Sequence, residues 1–157
     1  MSSIQDLMTE PAKYKLRLVE ERDIEALYEM LREFISIPNA CIHARPLPPY
    51  EESRKYVMKY LNDNENHEYD KWYVVTDEKD VTLGSVYITK KNYVNYQILK
   101  PYQGKGIGIQ AVKLLMESNP RKRYFAVIHQ KNDKSLNLIK NLGFSPKAIV
   151  FEKIIEE

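Results

Sequence analysis

The sequence predicts a mixed α/β domain, with one central β-sheet flanked by helices on both faces. Three observations carry this. Two helix-period segments precede three closely spaced strand-like segments in the middle of the chain. A glycine-rich turn and an apolar helix follow at once. The rest alternates strand, helix and strand, so the order reads βααβββαβαβ. A chain of 157 residues suits one domain and can bury a core without disulfides. Residues 1–12 read as a polar N-terminal extension and 13–157 as the single domain.

Each element has its own signal. Residues 14–19, YKLRLV, alternate as a strand does. Residues 20–35 place Ile24, Leu27, Tyr28, Leu31 and Phe34 at helical spacing. Residues 37–50 hold four prolines, which forbid a regular helix and predict a rigid loop. Residues 51–61 form a second helix with Val57, Tyr60 and Leu61 as core. A polar link over 62–70 follows, in which His67 is expected to face solvent. Segments 71–76, 83–90 and 92–99 form a meander, with Asp-Glu-Lys-Asp (77–80) as its first turn. A helix over 107–118 is ended by Asn119-Pro120. Residues 123–130 read as a strand. Asn132 or Asp133 caps a helix running to Leu142, with Gly143 at its C-terminus. Residues 147–155, KAIVFEKII, close the pattern as a strand.

Composition excludes several classes. A net charge of +2, with no basic cluster interleaved with aromatics, argues against nucleic acid. No apolar run approaches a membrane span, and the N-terminus lacks the pattern of a signal peptide. The single cysteine, Cys41, rules out an internal disulfide framework and suits the cytoplasm. No metal-ligand spacing is present, so no metal is expected. Cys41 has no triad spacing around it and reads as a small hydrophobe rather than a nucleophile.

The stretch KPYQGKGIGIQAVKLLMESNP (100–120) carries Gly104, Gly106 and Gly108, three of the five glycines in the chain. A strand, a glycine-rich turn and a helix start make an anion site. Backbone N–H groups converge there and the helix dipole favours negative charge. A tight turn alone needs one glycine, not three. The P-loop pattern is absent. Gly106-Ile-Gly-Ile-Gln-Ala111 fits the dinucleotide fingerprint GxGxxA, but that reading needs an acid ending the next strand. The next strand ends Ile128-His129-Gln130-Lys131. The third alternative fits better. Gln103-Gly-Lys-Gly106-Ile-Gly108 resembles motif A of the GNAT family of N-acetyltransferases. Asn132-Asp-Lys-Ser135-Leu-Asn-Leu138-Ile-Lys-Asn-Leu-Gly143-Phe144 resembles its motif B. The two lie about 25 residues apart, as in that family. The element order also matches, and Gly84 sits where the family often has a strand glycine. The resemblance covers residues 14 to 155.

That resemblance implies acetyl-CoA, or another acyl-CoA, as donor and a small-molecule or protein amine as acceptor. The amides of Gly104, Lys105, Gly106, Ile107, Gly108 and Ile109 would cradle the pyrophosphate. Gln103 would hold the loop in shape. The backbone of Ile98 and Lys100 would pair with the pantetheine arm as an added strand. Asn132 would bond the arm near the thioester unless it is only a helix cap, and Ser135 is a further contact. A backbone N–H near Ile98 would stabilise the developing oxyanion. A homodimer is also in keeping with the family's habit.

The chain departs from the family at two chemical positions. Ile139 stands where relatives often have an acidic tyrosine, and Val127 where they often have a glutamate base. His129, two residues along the same strand face, becomes the candidate base. Among the twelve tyrosines, Tyr87, Tyr93 and Tyr96 lie on strands nearest the expected cleft, with no sequence ground for choosing an acid among them. His43, Arg45 and Tyr50, in or beside the proline-rich loop, are the candidate acceptor contacts. The acids of 51–70 would suit a cationic acceptor or simply form a solvated face. The missing tyrosine and glutamate keep open a second class of function, a non-catalytic acyl-CoA-binding sensor.

Overall fold

The computed structural model describes residues 13–40 and 45–156. The N-terminal extension, Cys41 and His43 lie outside the described residues. Strand β1 (Lys15–Leu18) leads through a 3-10 turn (Glu21–Asp23) into helix α1 (Ile24–Ser36). Helix α2 (Tyr50–Asn62) follows the proline-rich loop, and Pro49 sets its start. Strands β2 (Tyr69–Thr76), β3 (Thr82–Thr89) and β4 (Val94–Ile98) form the meander. Helix α3 (Ile107–Ser118) and helix α4 (Asp133–Asn141) complete the regular elements.

The sheet order is β1-β2-β3-β4 and every pairing is antiparallel. One parallel bridge, Tyr93 to Phe125, makes it mixed. The β2–β3 turn forms because Asp77 Oδ1 accepts the N–H groups of Lys79 and Val81, both at 2.9 Å, while Asp80 takes a left-handed φ of 62°.

Side chains alternate across the sheet, so its two faces build two cores. Val75, Val86, Ile88, Val94 and Ile98 pack against Ile107, Ala111, Val112 and Leu115 of α3. Trp72 and Val74 pack on the other face against α1 and α2, through Ile24, Leu27, Met30, Val57 and Tyr60. The helices therefore cover both faces, as the sequence predicts. Among the described residues, no helix is long and apolar enough to cross a membrane.

Two expected strands are not regular. In 123–130 only Phe125 pairs with the sheet: Val94 N–H donates to its carbonyl (2.8 Å) and its own N–H donates to Asn92 O (2.9 Å). Beyond Phe125 the chain diverges from β4, and a cavity takes the place of the ladder. Residues 147–155 form no strand, and Ile149 and Phe151 are 78% and 89% exposed. Alternation marks a segment that can pair, but a strand becomes stable only with a partner edge. No ladder bond reaches residues 145–156 among the described residues.

Candidate active site

The split between β4 and residues 126–128 opens a cavity of about 730 Å³. Its floor is the start of α3 and one face of α4, and Phe34, Ile37 and Ala40 reach it from the end of α1. The ladder parity explains its chemistry. Val94 turns its N–H toward Phe125 and Leu99 turns its N–H toward Leu83 O (2.9 Å). Backbone groups alternate along a strand, so Tyr96 and Ile98 aim theirs into the split. The open edge of β4 therefore offers main-chain donors and acceptors to an extended ligand.

The glycine loop closes one end. Gly104 (φ 79°) and Gly106 (φ 76°) are left-handed, and a Cβ at either would have nothing within 4 Å. These two are glycine for backbone conformation, and the space above them is open. Gly108 differs. It lies inside α3, where a Cβ would meet Leu138 Cδ1 at 3.1 Å and Tyr96 Cε2 at 3.2 Å. Its role is close packing of α3 on β4 and α4. Gly106 is the N-cap of α3, and no acidic residue occupies the first turn. The free N–H groups and the dipole there favour an anion.

The loop is tied to the sheet. Gln103 Nε2 donates to Ile98 O at 2.9 Å, which joins the loop to the end of β4. That bond occupies the Ile98 carbonyl and leaves its N–H facing the split. The Lys100 N–H donates to Glu33 Oε2 at 2.9 Å, so a carboxylate from α1 already holds it. Gly104, Gly106, Ile107, Gly108 and Ile109 line the cavity, whereas Lys105 is exposed beside it.

On the opposite wall, Asn132 caps α4 by accepting the Ser135 N–H at 3.3 Å, and both residues line the cavity. Ser135 Oγ also lies 2.7 Å from Tyr96 OH. Burial raises the Tyr96 phenol, and the Ser135 bond partly offsets this. Ile139, one turn beyond Ser135, shares this lining.

Other candidates lie elsewhere. His129 is outside the lining, and its Nδ1 accepts the Lys131 N–H at 3.1 Å. That bond turns Nδ1 back toward the chain. Arg45 is exposed, and Tyr50 packs edge-on against Tyr28 at 5.3 Å; neither lines the cavity. None of the acids of 51–70 lines it either. Asp70 pairs with Arg121, and Glu68 accepts from Tyr56 OH at 2.7 Å. Among the described residues, no group of three or more His, Cys, Asp or Glu side chains could hold a metal. Sequence reasoning missed Asn95, Phe34 and Glu33. Strand parity marks the β4 residues, but the α1 contacts have no local signal.

His67 corrects an expectation. It is 5% exposed rather than solvated, packed against Tyr56, Tyr60 and Tyr69, with Nδ1 accepting the Tyr69 N–H at 3.0 Å. Its polar sequence neighbours conceal that α2 supplies an aromatic wall. Burial lowers its pKa from the ordinary value. The unfolded chain therefore binds the proton more readily than the native one. His67 supports the fold fully above about pH 6.5, and that support is lost as pH falls from there through the lowered native value. Urea unfolding from pH 7 to 5 should show a steeper loss for the wild type than for His67→Gln. Parallel curves would refute the assignment.

Comparison with known proteins agrees with this fold. The family model described as an acetyltransferase (GNAT) domain matches residues 13–145. No curated protein matches the chain in sequence. Among solved structures, the spermidine N-acetyltransferase of Vibrio cholerae, in complex with CoA and spermine, is similar with a TM-score of 0.76. The identity is 18%, over 94% of this chain and 89% of that one. A phosphinothricin acetyltransferase from Sinorhizobium meliloti, in complex with acetyl-CoA, is similar with a TM-score of 0.70. It is 21% identical over 87% of this chain and 77% of its own. A ribosomal L7/L12 alpha-N-protein acetyltransferase bound to coenzyme A has a TM-score of 0.71 at 21% identity, covering 88% and 83% of the two chains. At these identities the likeness carries the fold.

Proposed function

Since the chain belongs to the GNAT acetyltransferase family, we propose that it transfers an acetyl group from acetyl-CoA to a primary amine by direct attack in a ternary complex. The observation that carries this reading is the joining of two left-handed glycines at the start of α3 to the open edge of β4. The amides from Gly104 to Ile109 hold the pyrophosphate. The free backbone groups of Tyr96 and the N–H of Ile98 align the pantetheine arm as an added strand. Either N–H can donate to the thioester oxygen as negative charge develops there. Asn132 and Ser135 bound the arm on the α4 side. The acceptor is a small amine or a protein amine, entering by the end of α1, where Phe34, Ile37 and Ala40 line the cavity.

An alkyl ammonium must lose a proton before it attacks. His129 lies outside the cavity lining with Nδ1 bonded to the Lys131 N–H, so the proton is assigned to water at the open mouth. His129→Gln should then keep kcat/KM well clear of the roughly 10²-fold loss that follows removal of a general base. A loss of that size, with disappearance of the acid limb of the pH–rate profile, would restore His129 as the base.

The test of function is release of free CoA thiol from acetyl-CoA with pooled amines: polyamines, amino acids, amino sugars and peptides. Turnover with any pool supports the reading, and acetyl-CoA binding without turnover favours the sensor. NADH serves as a control, since tight NADH binding without acetyl-CoA binding would overturn both.

A further inference from the structure

The reaction leaves a thiolate in a half-buried cleft, and something must neutralise it. The twelve tyrosines are all among the described residues, so their surroundings can be compared. Tyr87 stacks on Tyr69 at 3.9 Å on the α1–α2 side of the sheet and does not line the cavity. Tyr93 is 40% exposed and packs on Phe125, also away from the lining. Tyr102 lines the cavity, but beside the glycine loop and the pyrophosphate site. Tyr96 alone stands on β4 between the open edge and α4.

We propose that Tyr96 is the general acid for the departing thiol, with Ser135 as its hydrogen-bonded partner; this rests on the acetyltransferase reading above. Four features support it. The hydroxyls of Tyr96 and Ser135 are 2.7 Å apart and both residues line the cavity. The absent side chain of Gly108 lets the Tyr96 ring seat against α3, so a packed surface fixes the ring. Ser135 and Ile139 share one face of α4, so the phenol reaches from β4 to the hydroxyl one turn before Ile139. Burial also raises the phenol, which keeps its proton at neutral pH.

The step balances. The amine nitrogen bonds to the acetyl carbon and the C–S bond breaks, its electron pair going to sulfur. The Tyr96 O–H proton moves to that sulfur and leaves a phenolate. Ser135 O–H protonates the phenolate and is itself reprotonated by water. The ammonium gives one proton to solvent before it attacks, and the nitrogen gives up a second as the amide forms, which restores the water that reprotonated Ser135; the products are amide, CoA thiol and one proton.

Tyr96→Phe keeps the ring against Gly108 and removes only the hydroxyl. With an acceptor found in the amine screen, its kcat should fall by about 10²-fold, the lower end for loss of an acid catalyst. Its Kd for CoA, measured by calorimetry, should change little, because the main-chain groups that align the arm are retained. Wild-type turnover should slow in D2O, and that of Tyr96→Phe should not, since proton transfer from the phenol has been removed. Ser135→Ala should give a smaller loss with the isotope effect retained. An active wild type whose Tyr96→Phe variant keeps kcat within about threefold overturns this inference alone. The same holds if the variant loses kcat but keeps the wild-type isotope effect, which would indicate a structural role. A wild type that turns over no amine overturns the functional reading and this inference together.

Discussion

Gly106→Glu should abolish acetyl-CoA binding in a chain that still folds. Gly106 holds φ at 76° as the N-cap of α3. A side-chain-bearing residue there costs about 1–2 kcal/mol of left-handed strain. The new carboxylate would stand at the helix start, where the macrodipole and free N–H groups favour negative charge, and would compete with the pyrophosphate for them. At 1.4 kcal/mol per decade, strain and lost anion contacts together should raise Kd by at least about 10²-fold. The fold should survive because a Cβ at Gly106 meets nothing within 4 Å. Gly106→Asn separates the causes, since asparagine tolerates left-handed backbone and carries no charge. It should retain most of the affinity. Calorimetric titration of both variants with acetyl-CoA is the measurement. Unchanged affinity in Gly106→Glu would remove the pyrophosphate from this loop.

Gly84→Val should have the largest effect on stability. Gly84 on β3 faces Ile98 on β4 in the antiparallel register. A Cβ there would collide with the Gln97 carbonyl oxygen, and would lie 3.0 Å from Ile98 Cα and 2.8 Å from Ile98 Cδ1. Two of these three atoms are backbone, which cannot rotate aside. Strand β4 must then move away from β3. We expect a loss of about 3 kcal/mol, at the upper end for overpacking. For a chain this size that lowers Tm by roughly 6–12 °C. The displaced strand also carries the open edge, so acetyl-CoA affinity should fall even where the variant remains folded. A Tm within about 2 °C of wild type would contradict this packing.

The elements that the sequence determined are those set by neighbours in the chain. Helix α3 begins at Ile107 and ends at Ser118, as the glycines and Asn119-Pro120 require. Helix α4 starts after Asn132 and stops before Gly143, whose φ of 90° relieves its last turn. The left-handed turns at Gly104 and Gly106 are equally local, since conformational freedom at φ > 0 is a property of the residue itself. Motif spacing could therefore single out this loop before any fold was known.

Tertiary structure decided what depends on distant partners. The three glycines look alike in sequence, yet Gly108 is there to admit Tyr96 and Leu138. Tyr96 was one of three equivalent tyrosines until α4 brought Ser135 to its hydroxyl. His67 sits in a polar run but is buried by tyrosines from α2 and β2. His129 alternates correctly for the cleft, and its ring turned back to the Lys131 amide instead. Residues 123–130 and 147–155 have strand composition, but one pairs at a single residue and the other not at all. A helix closes its own hydrogen bonds within four residues, so its signal is carried locally. A strand, a buried histidine or a cleft hydroxyl is completed by groups far along the chain, and only the packed fold brings those groups together.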